Sequence, residues 1–516
     1  MKKLLILLIV VSCFFSPSYS QELDKIPYTV KELGLKRLDE YSGFVGSNEN
    51  GIYLIRNSEN VTGLYGTMAE VYIDQFNSDF ELQNSIYLEG FFSRLDKPRS
   101  LDRVEFVHLS PQGKLYLGYT TYGKGNSEFY IGEIDQQTGK IDSKKLIFSA
   151  ENIDLRQRVS IVESEDKKLL GIYSLVPNKY GGFESHLFTA ALTQDIEVVK
   201  SNMVVLPIKI PWSSSDILGI TKSNSNATFN FGNGGDFSFV MRVNIKGAAK
   251  NGVKDYYYTI YSIQNEPGEY LQAALGTADT NFINDVSIHK LDDNNLVCVG
   301  RYSSYSNTTE ITEGLAIYTI DKRNFKDPKY IFIPFTKDQL EKLTPKVGQS
   351  MQRLAEKNYN QKELESGIPY FTITSSKVKD NGSISIRTEL KYFRYSLINL
   401  GNLSIIDFDK NGINSIQSID RNQEEATITG NIFSQISTDN LQLFIDQNRG
   451  EKIIRLQSIE NNIPTKIYEL INTKTDKDFS LTDRYNIVES TKKLVFVLNQ
   501  NKSAKFYQFD ISDLYP

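Results

Sequence analysis

The chain has 516 residues, with 58 Lys and Arg against 63 Asp and Glu, for a formal net charge of -5. These charges are spread along the chain rather than clustered, so the composition excludes a surface built to bind nucleic-acid phosphates. Beyond the first residues, no stretch approaches the roughly 20 apolar residues that a membrane-spanning helix needs. Length alone would suggest two or three domains, but single repeat architectures of this size are common.

The first 20 residues have the pattern of a secretory signal peptide. Lys2 and Lys3 precede an apolar stretch over residues 4–15, and Ser18 and Ser20 follow it. Signal peptidase accepts small residues three places and one place before the cut, so we expect cleavage after Ser20. The mature protein is then exported to the periplasm or the cell surface of a bacterial-type envelope.

A lipoprotein signal is the alternative for the same stretch. Residues 10–13 have the sequence VVSC, in which Cys13 would be acylated and anchor the protein to lipid. The apolar core before Cys13 is short, and Phe14 and Phe15 after it are apolar rather than polar, so plain cleavage is favoured. Plain cleavage leaves Cys298 as the remaining cysteine, which excludes an intramolecular disulfide.

A short polar turn followed by an apolar strand recurs eight times along the chain. The first apolar residues of these strands, called the anchors, are Ile52, Leu115, Leu169, Phe237, Leu296, Ile384, Leu441 and Leu494. Their separations lie between 53 and 88 residues. A second hairpin follows most anchors, as in residues 129–148 and 316–333, so each repeat contains about four strands.

The repeats resemble the β-propeller superfamily over nearly the whole mature chain, and the resemblance is architectural. It implies an all-β fold of seven or eight four-stranded blades, with eight favoured, forming a single domain over residues 21–516. The chain has no Trp-Asp dipeptide, no kelch-type pair of glycines in every repeat and no sialidase-type Asp-box. The resemblance therefore identifies no particular propeller family.

The last repeat stops before its fourth strand. After the anchor Leu494, the strand-like stretch 505–511 is followed only by a few residues. Residues 28–38, which precede the first repeat, have no partner strand of their own. We expect this N-terminal strand to join the last blade and close the ring, because closure removes exposed sheet edges.

The 88-residue separation contains a segment, residues 336–367, that we predict to be a short helical insertion. Thr336 with Gln339 forms a capping box, and Thr344 followed by Pro345 can begin a second helix. The apolar residues at helical spacing are Leu340, Leu343, Val347, Met351 and Leu354.

One local sequence resembles a metal-binding loop. Asp407, Asp409, Asn411 and Gly412 have the spacing D-x-D-x-N-G, which can direct alternate oxygens at a Ca²⁺ ion. The twelfth position of the loop is Ser418 instead of the usual glutamate. A structural turn is therefore favoured over a Ca²⁺ site, and no other cofactor is predicted.

Tyr-Gly pairs recur in the loops expected after the second strand of three successive blades. Their tyrosines are Tyr65, Tyr122 and Tyr180, and Tyr305 lies in the comparable loop of the fifth blade. Such loops gather on one propeller face, where tyrosines can stack on sugars or pack against a protein partner. Because the chain has 30 tyrosines, chance placement explains the pairs as well as a binding face does.

Signatures of enzymes are absent from the sequence. His108, His186 and His289 lie in different repeats without metal-ligand spacing, and no nucleophile elbow, phosphate loop or dinucleotide fingerprint occurs. We therefore predict a non-enzymatic binding or scaffold protein of the cell envelope, which holds a protein partner on one propeller face. Carboxylates from different blades can meet without any sequence signature, so the alternative is a carbohydrate-binding or glycan-cleaving propeller with channel carboxylates and tyrosines.

Overall fold

The structure is a computed structural model, and it describes residues 25–36, 39–62, 66–95, 102–123, 125–155, 159–177, 184–207, 227–244, 256–264, 266–275, 281–304, 311–343, 355–359, 361–394, 397–419, 421, 423–427, 440–448, 451–461, 463–472, 485–488, 491–500 and 502–514. The predicted signal peptide and Cys13 therefore lie outside the described residues. No helix in the described ranges is long and apolar enough to cross a membrane.

The described strands form eight consecutive units, numbered here in chain order. Before them comes β1 (Tyr28–Gly34). The first unit contains β2 (Asp39–Asn48), β3 (Gly51–Thr62), β4 (Gly66–Phe76) and β5 (Leu82–Leu95). The second contains β6 (Asp102–Leu109), β7 (Leu115–Gly123), β8 (Asn126–Ile134) and β9 (Ile141–Glu151). The third contains β10 (Val159–Glu163), β11 (Leu169–Pro177), β12 (Ser185–Thr193) and β13 (Val198–Leu206). The fourth contains β14 (Ala227–Phe231), β15 (Phe237–Asn244), β16 (Tyr256–Ile263) and β17 (Tyr270–Leu275).

The second half of the chain continues the series. The fifth unit spans β18 (Phe282–Lys290), β19 (Asn295–Ser303), the short β20 (Ile311–Thr312), β21 (Gly314–Asp321) and β22 (Lys329–Pro334). The sixth spans the short β23 (Ile368–Pro369), β24 (Phe371–Val378), β25 (Ile384–Arg394), β26 (Leu397–Asp409), β27 (Gly412–Ile419) and β28 (Gln423–Thr427). The seventh contains β29 (Leu441–Asn448), β30 (Glu451–Glu460) and β31 (Ile463–Asn472), and the eighth contains β32 (Tyr485–Val488), β33 (Lys493–Gln500) and β34 (Ser503–Asp510).

Each unit is an antiparallel meander in which chain neighbours are also sheet neighbours. A parallel pairing of Phe91 with Asp102 and Phe92 with Arg103 joins the first two units into one eight-stranded sheet. In the fifth and sixth units, β20 pairs with β23, and β28 pairs with β26. Successive four-stranded antiparallel sheets of this kind are the architecture of a β-propeller, so the predicted fold class is confirmed.

Each of the eight anchors lies at the start of a strand. Seven of these strands are the second meander strand of their unit, namely β3, β7, β11, β15, β19, β25 and β33, and Leu441 begins β29, the first strand described in unit seven. All of them except Leu169 are buried, and Leu169 is partly buried. The recurrent sequence pattern therefore indicates a polar turn and the buried strand that follows it. A strand buried on both faces needs a run of apolar residues rather than an alternating pattern.

The N-terminal strand pairs with the last unit. All seven residues of β1 are in antiparallel register with β34, from Tyr28 opposite Phe509 to Gly34 opposite Ser503. The last unit therefore has the order β1-β34-β33-β32, which supplies the fourth strand that the sequence lacks there. The side-chain amide of Asn499 on β33 also bonds both backbone groups of Tyr41 on β2, at 2.9 Å each.

Apolar side chains fill the spaces between consecutive units. The described residues form clusters between units one and two, two and three, and so on, and one more cluster joins unit eight to unit one. The first strands of neighbouring units also contact one another, including β32 with β2. The contacts between described residues therefore run from each unit to the next and from unit eight back to unit one.

The described residues of the segment 336–367 are helical at Lys337–Leu343, at 355–358 and at Gln361–Ser366. Thr336 and Gln339 make both bonds of a capping box at the first helix, since the Thr336 N–H donates to Gln339 Oε1 at 2.9 Å and the Gln339 N–H to Thr336 Oγ1 at 3.4 Å. Leu343 is buried in the cluster between units five and six. The second helix expected from Thr344, with Val347, Met351 and Leu354, lies outside the described residues.

Candidate functional site

The contact between units six and seven differs from the other contacts between units. Its described apolar cluster has three buried residues, Leu403, Ile419 and Phe444, with Ile467 packed against them. The seven other clusters of described residues contain ten or more buried residues each. Among the described residues, polar side chains therefore make a larger share of this contact than of the others.

Two arginines connect unit six to unit seven. Arg387 on β25 donates through Nη1 to Gln442 Oε1 at 2.7 Å and to the Leu441 carbonyl at 3.1 Å. Arg421, whose side chain is fully buried, donates through Nε to the Ile445 carbonyl and through Nη1 to Glu389 Oε2, both at 3.0 Å. Burial lowers the pKa of Arg421, and the Glu389 carboxylate beside it opposes this effect.

A polar cleft opens beside these arginines, with a volume of about 280 Å³. It is lined by three cationic residues (Lys377, Lys379 and Arg387), by three serines, and by Asn440 and Asn461 of unit seven. We call this feature the cationic cleft. Its described lining contains no apolar or aromatic side chain, so it suits a charged and hydrogen-bonding ligand.

Strand geometry explains why these residues face the cleft. Ser375 is opposite Arg387 and Lys377 is opposite Ser385 in the β24–β25 ladder, so these four side chains share one face of unit six. Ser376 lies between them, and its side chain points to the other face, where Ser376 Oγ lies 2.7 Å from His289 Nε2 of unit five. The face toward unit seven is therefore the cationic one.

His289 has the contacts of a satisfied core residue. Its Nε2 also lies 3.2 Å from Ser287 Oγ, and burial lowers the pKa of the imidazole to about 4. Because the Ser376 hydroxyl is directed away from the cationic cleft, this serine and histidine do not form a nucleophile and base within the cleft. His108 is similarly satisfied, since its Nε2 lies 3.1 Å from Gln194 Oε1.

A second cavity adjoins the cationic cleft on the other side of the same turns of unit seven. Its volume is about 340 Å³, and Asn440 and Asn461 line it as they line the cleft. Its charged lining residues are Glu460 and Asp513, the latter just after β34 of unit eight. We call it the acidic cavity. Asn440 and Asn461 therefore lie between the cationic cleft and the acidic cavity.

The loop predicted as a possible Ca²⁺ site makes the contacts of a turn. Lys379 Nζ pairs with Asp407 Oδ1 at 3.0 Å, and Asp409 Oδ1 accepts the Asn411 N–H at 2.7 Å. Among the residues that the structure describes, no group of three or more His, Cys, Asp and Glu side chains could hold a metal ion. Asp407 therefore serves the cationic cleft by pairing with one of its lysines.

The predicted tyrosine face cannot be assembled from the described residues. Tyr122 lies near the end of β7, where it is partly buried and opposite Ser127 on β8. Tyr65, Tyr180 and Tyr305 lie outside the described residues. Whether these four tyrosines lie together is therefore not tested, and the binding role predicted for them stays a prediction.

The residues of the cationic cleft were missed by sequence reasoning, although a weak signal was present. Residues 375–379 have the sequence SSKVK, in which Lys377 and Lys379 alternate just before the turn of the sixth repeat, and Arg387 follows on the next strand. A strand that faces a neighbouring blade normally places apolar residues at such positions. Alternating lysines there predict a polar contact between blades, but they do not show what lies opposite.

The comparisons with known proteins do not identify a family. No protein-family model matches the chain, and no curated protein matches it. Among solved structures, it is similar to the WD40 domain of SCAP from fission yeast, with a TM-score of 0.38, 9% identity, and coverage of 95% of this chain and 99% of that one. An oligogalacturonate lyase in complex with manganese gives a TM-score of 0.37 and 8% identity over 96% of this chain and 99% of that one.

A structure reported for prolyl endopeptidases gives a TM-score of 0.37 and 10% identity over 90% of this chain. The chain spans about half of that protein's length, 55%. At these TM-scores the likenesses carry no activity to this chain. Any functional conclusion therefore has to come from the site itself.

Proposed function

We propose that the chain is an exported binding protein of the cell envelope, which holds a protein partner on the face that carries the cationic cleft and the acidic cavity. The observation that supports the proposal is the pair of adjoining, oppositely charged cavities at a contact between blades that has little apolar packing. Charge complementarity of this kind selects a partner and speeds its association.

The alternative of a carbohydrate ligand has less support at this site. Sugars are commonly bound by stacking on aromatic faces, and the described linings of both cavities contain no aromatic residue. The Glu460 and Asp513 carboxylates line a cavity beside unit seven, whereas the carboxylates of the alternative were expected in the central channel. We therefore favour a protein partner.

Site-directed cross-linking tests the proposal, because the chain offers a clean background for it. Cys298 is fully buried, so Asn461→Cys introduces an exposed thiol that can carry a cleavable photoreactive group. Val199→Cys on β13, where the side chain is 55% exposed, is the matched control far from the cavities. We expect a partner from envelope extracts that cross-links to the first variant, does not cross-link to the second, and binds the purified wild-type chain in calorimetry.

Two results would count against the proposal. The first is equal cross-linking of the same proteins to both variants. The second is a captured protein that does not bind the purified chain. Mass spectrometry of the mature N-terminus tests export separately, because it distinguishes a chain that begins at Gln21 from one that begins at an acylated Cys13.

A further inference from the structure

We propose that the exposed ring of Tyr87, with the carboxylates of Glu70 and Glu89 beside it, binds an arginine side chain of a partner protein. These three residues lie on the last two strands of unit one, and we call them the Tyr87 surface. The surface shares no residue with the cationic cleft or the acidic cavity. The inference therefore goes beyond the proposed function and does not depend on it.

Four side chains form one row across the sheet of unit one. Tyr41 on β2 is opposite Arg56 on β3, and Arg56 is opposite Tyr72 on β4. Tyr72 is in turn opposite Tyr87 on β5. Directly opposite residues of an antiparallel sheet place their side chains on the same face. The row therefore runs from the first strand of the unit to the fourth, and Tyr87 is its last member.

The two outer tyrosines of the row form a stack with a cation on its inner side. The ring centroids of Tyr72 and Tyr87 lie 5.0 Å apart at an interplanar angle of 30°. The guanidinium carbon of Arg56 lies 4.3 Å from the Tyr72 centroid. Because β3 and β5 flank β4, Arg56 and Tyr87 lie on opposite sides of the Tyr72 ring. Tyr87 ends the stack at the outer strand, where its side chain is 36% exposed.

Carboxylates lie beside this exposed ring. Glu70 accepts from the Tyr87 hydroxyl at 3.4 Å and from the Tyr72 hydroxyl at 3.5 Å. Glu89 is exposed two residues after Tyr87 on β5, and it therefore points to the same face. Burial raises the pKa of the Tyr87 phenol, and the charges of Glu70 and Glu89 raise it further.

The ion pairs between described residues leave both of these carboxylates without a cation. None of those pairs involves Glu70 or Glu89. Two negative charges beside an open aromatic ring attract a positively charged group, which the ring also attracts through its π electrons. The Tyr87 surface is therefore complementary to a basic side chain.

Arg56 is an internal example of the proposed contact. Its guanidinium covers the inner side of the stack, while Asp74 and Asp39 pair with it at 2.7 and 2.8 Å. The outer side of the stack has the same elements, a tyrosine ring and two carboxylates. A planar guanidinium can lie on a ring and donate to a carboxylate at the same time, whereas an ammonium is a compact, strongly hydrated charge. The surface therefore fits arginine better than lysine.

Fluorescence anisotropy with labelled peptides tests the inference on the full chain. The probe is a short serine-rich peptide with two arginines, and its matched controls carry lysine, citrulline or glutamate in place of both arginines. Citrulline keeps the planar shape of the side chain and removes its charge. We expect the arginine peptide to bind about fivefold more tightly than the citrulline peptide and more tightly than the lysine peptide. Raising the salt from about 50 to about 300 mM should weaken its binding, because screening reduces exposed charge interactions.

Variants of the surface locate the binding. Tyr87→Ala should weaken binding of the arginine peptide about fivefold, whereas Tyr87→Phe, which keeps the ring, should bind within about twofold of the wild type. Glu89→Gln should weaken binding of the arginine peptide and leave binding of the citrulline peptide unchanged. Tyr330→Ala on β22, where the side chain is 47% exposed, and Glu49→Gln on the β2–β3 turn are matched controls that should bind as the wild type does.

Circular dichroism melting checks that each variant is folded. Glu89→Gln, at an exposed position, tests the inference if Tyr87→Ala does not fold. Three results would overturn the inference. They are equal binding of the arginine and citrulline peptides, equal effects of Tyr87→Ala and Tyr330→Ala, and displacement of the labelled peptide by a neutral oligosaccharide more readily than by unlabelled arginine peptide. The last result would identify the ring as a sugar-stacking surface instead.

Discussion

Two contacts between blades are built in opposite ways. Where unit eight meets unit one, Phe506 lies 5.5 Å from the ring of Tyr41 and 5.2 Å from the rings of Phe76 and Phe80. Where unit six meets unit seven, arginines reach across to backbone carbonyls, and a cleft remains open. The first contact joins the first and last units by apolar packing, whereas polar and charged side chains line the cleft at the second.

The polar network of unit one shows that charge alone does not make a site. Arg56 donates through Nε to Asp74 at 2.7 Å and through Nη1 to Asp39 at 2.8 Å, and Tyr41 also donates to Asp74 at 2.8 Å. The burial of Tyr41 and the Asp74 charge beside it raise the pKa of the phenol. Here one arginine meets two buried carboxylates within its own unit, whereas three cationic residues line the cationic cleft between two units.

The largest effect is expected at the apolar contact. Phe506→Ala should lower the free energy of unfolding by about 3–5 kcal/mol, because it removes a fully buried ring and leaves a cavity among the aromatic side chains. Phe506→Leu, which keeps most of the volume, should cost less than half of that. Urea denaturation measures both, and equal costs would mean that the contact is not closely packed.

Arg421→Met should lower the free energy of unfolding by a similar amount, about 3–5 kcal/mol. It breaks the buried ion pair at the polar contact and leaves Glu389 buried without its partner. Glu389→Gln should also destabilise the protein. The double variant should cost less than the sum of the two, since their interaction is lost only once. Strict additivity in a double-mutant cycle would show that Arg421 and Glu389 do not stabilise each other.

The contact between units five and six combines both types, because it encloses His289 within a large apolar cluster. The pKa of His289 is lowered to about 4 in the folded protein, so the unfolded chain binds the proton first as the pH falls below about 6.5. Stability is therefore complete above pH 6.5 and decreases toward pH 4, by up to about 3 kcal/mol. His289→Gln should reduce this slope in denaturation curves measured across that pH range, and an identical slope would contradict the assignment.

The smallest effect is expected at the edge of the cationic cleft. Asp407→Asn should change the free energy of unfolding by less than about 1 kcal/mol, because the Lys379 partner is partly exposed. The melting temperature of the wild type should be the same with Ca²⁺ and with a chelator. A chelator-dependent loss that disappears in the Asp407→Asn variant would instead favour the Ca²⁺ site.

The sequence predicts the parts of this fold that depend on local patterns. The anchors from Ile52 to Leu494 each mark the start of a strand, because a polar turn followed by a buried strand needs a recognisable run of residues. The pairing of Tyr28–Gly34 with the last unit also follows from counting strands.

The candidate site could not be predicted in the same way. Lys377 and Asn461 are 84 residues apart in the sequence, and they line one cleft because units six and seven are neighbours in the fold. The four tyrosines were predicted as binding residues because they occur at comparable positions in several repeats. A recurring residue is a feature of the repeat itself, and it does not identify the one repeat that differs from the others. A site formed by a departure from the repeat has no periodic signal.

The pairing of β1 with β34 has a consequence for the order in which the protein can mature. During synthesis β1 is made first, but its partner residues 503–510 are made more than 460 residues later. Until then the edge of β1 is open to other chains, and long sequence separation makes this pairing slow. The first strand to be synthesised, β1, is thus among the last to pair. A chain truncated before β34 would therefore have an unpaired strand edge near its N-terminus.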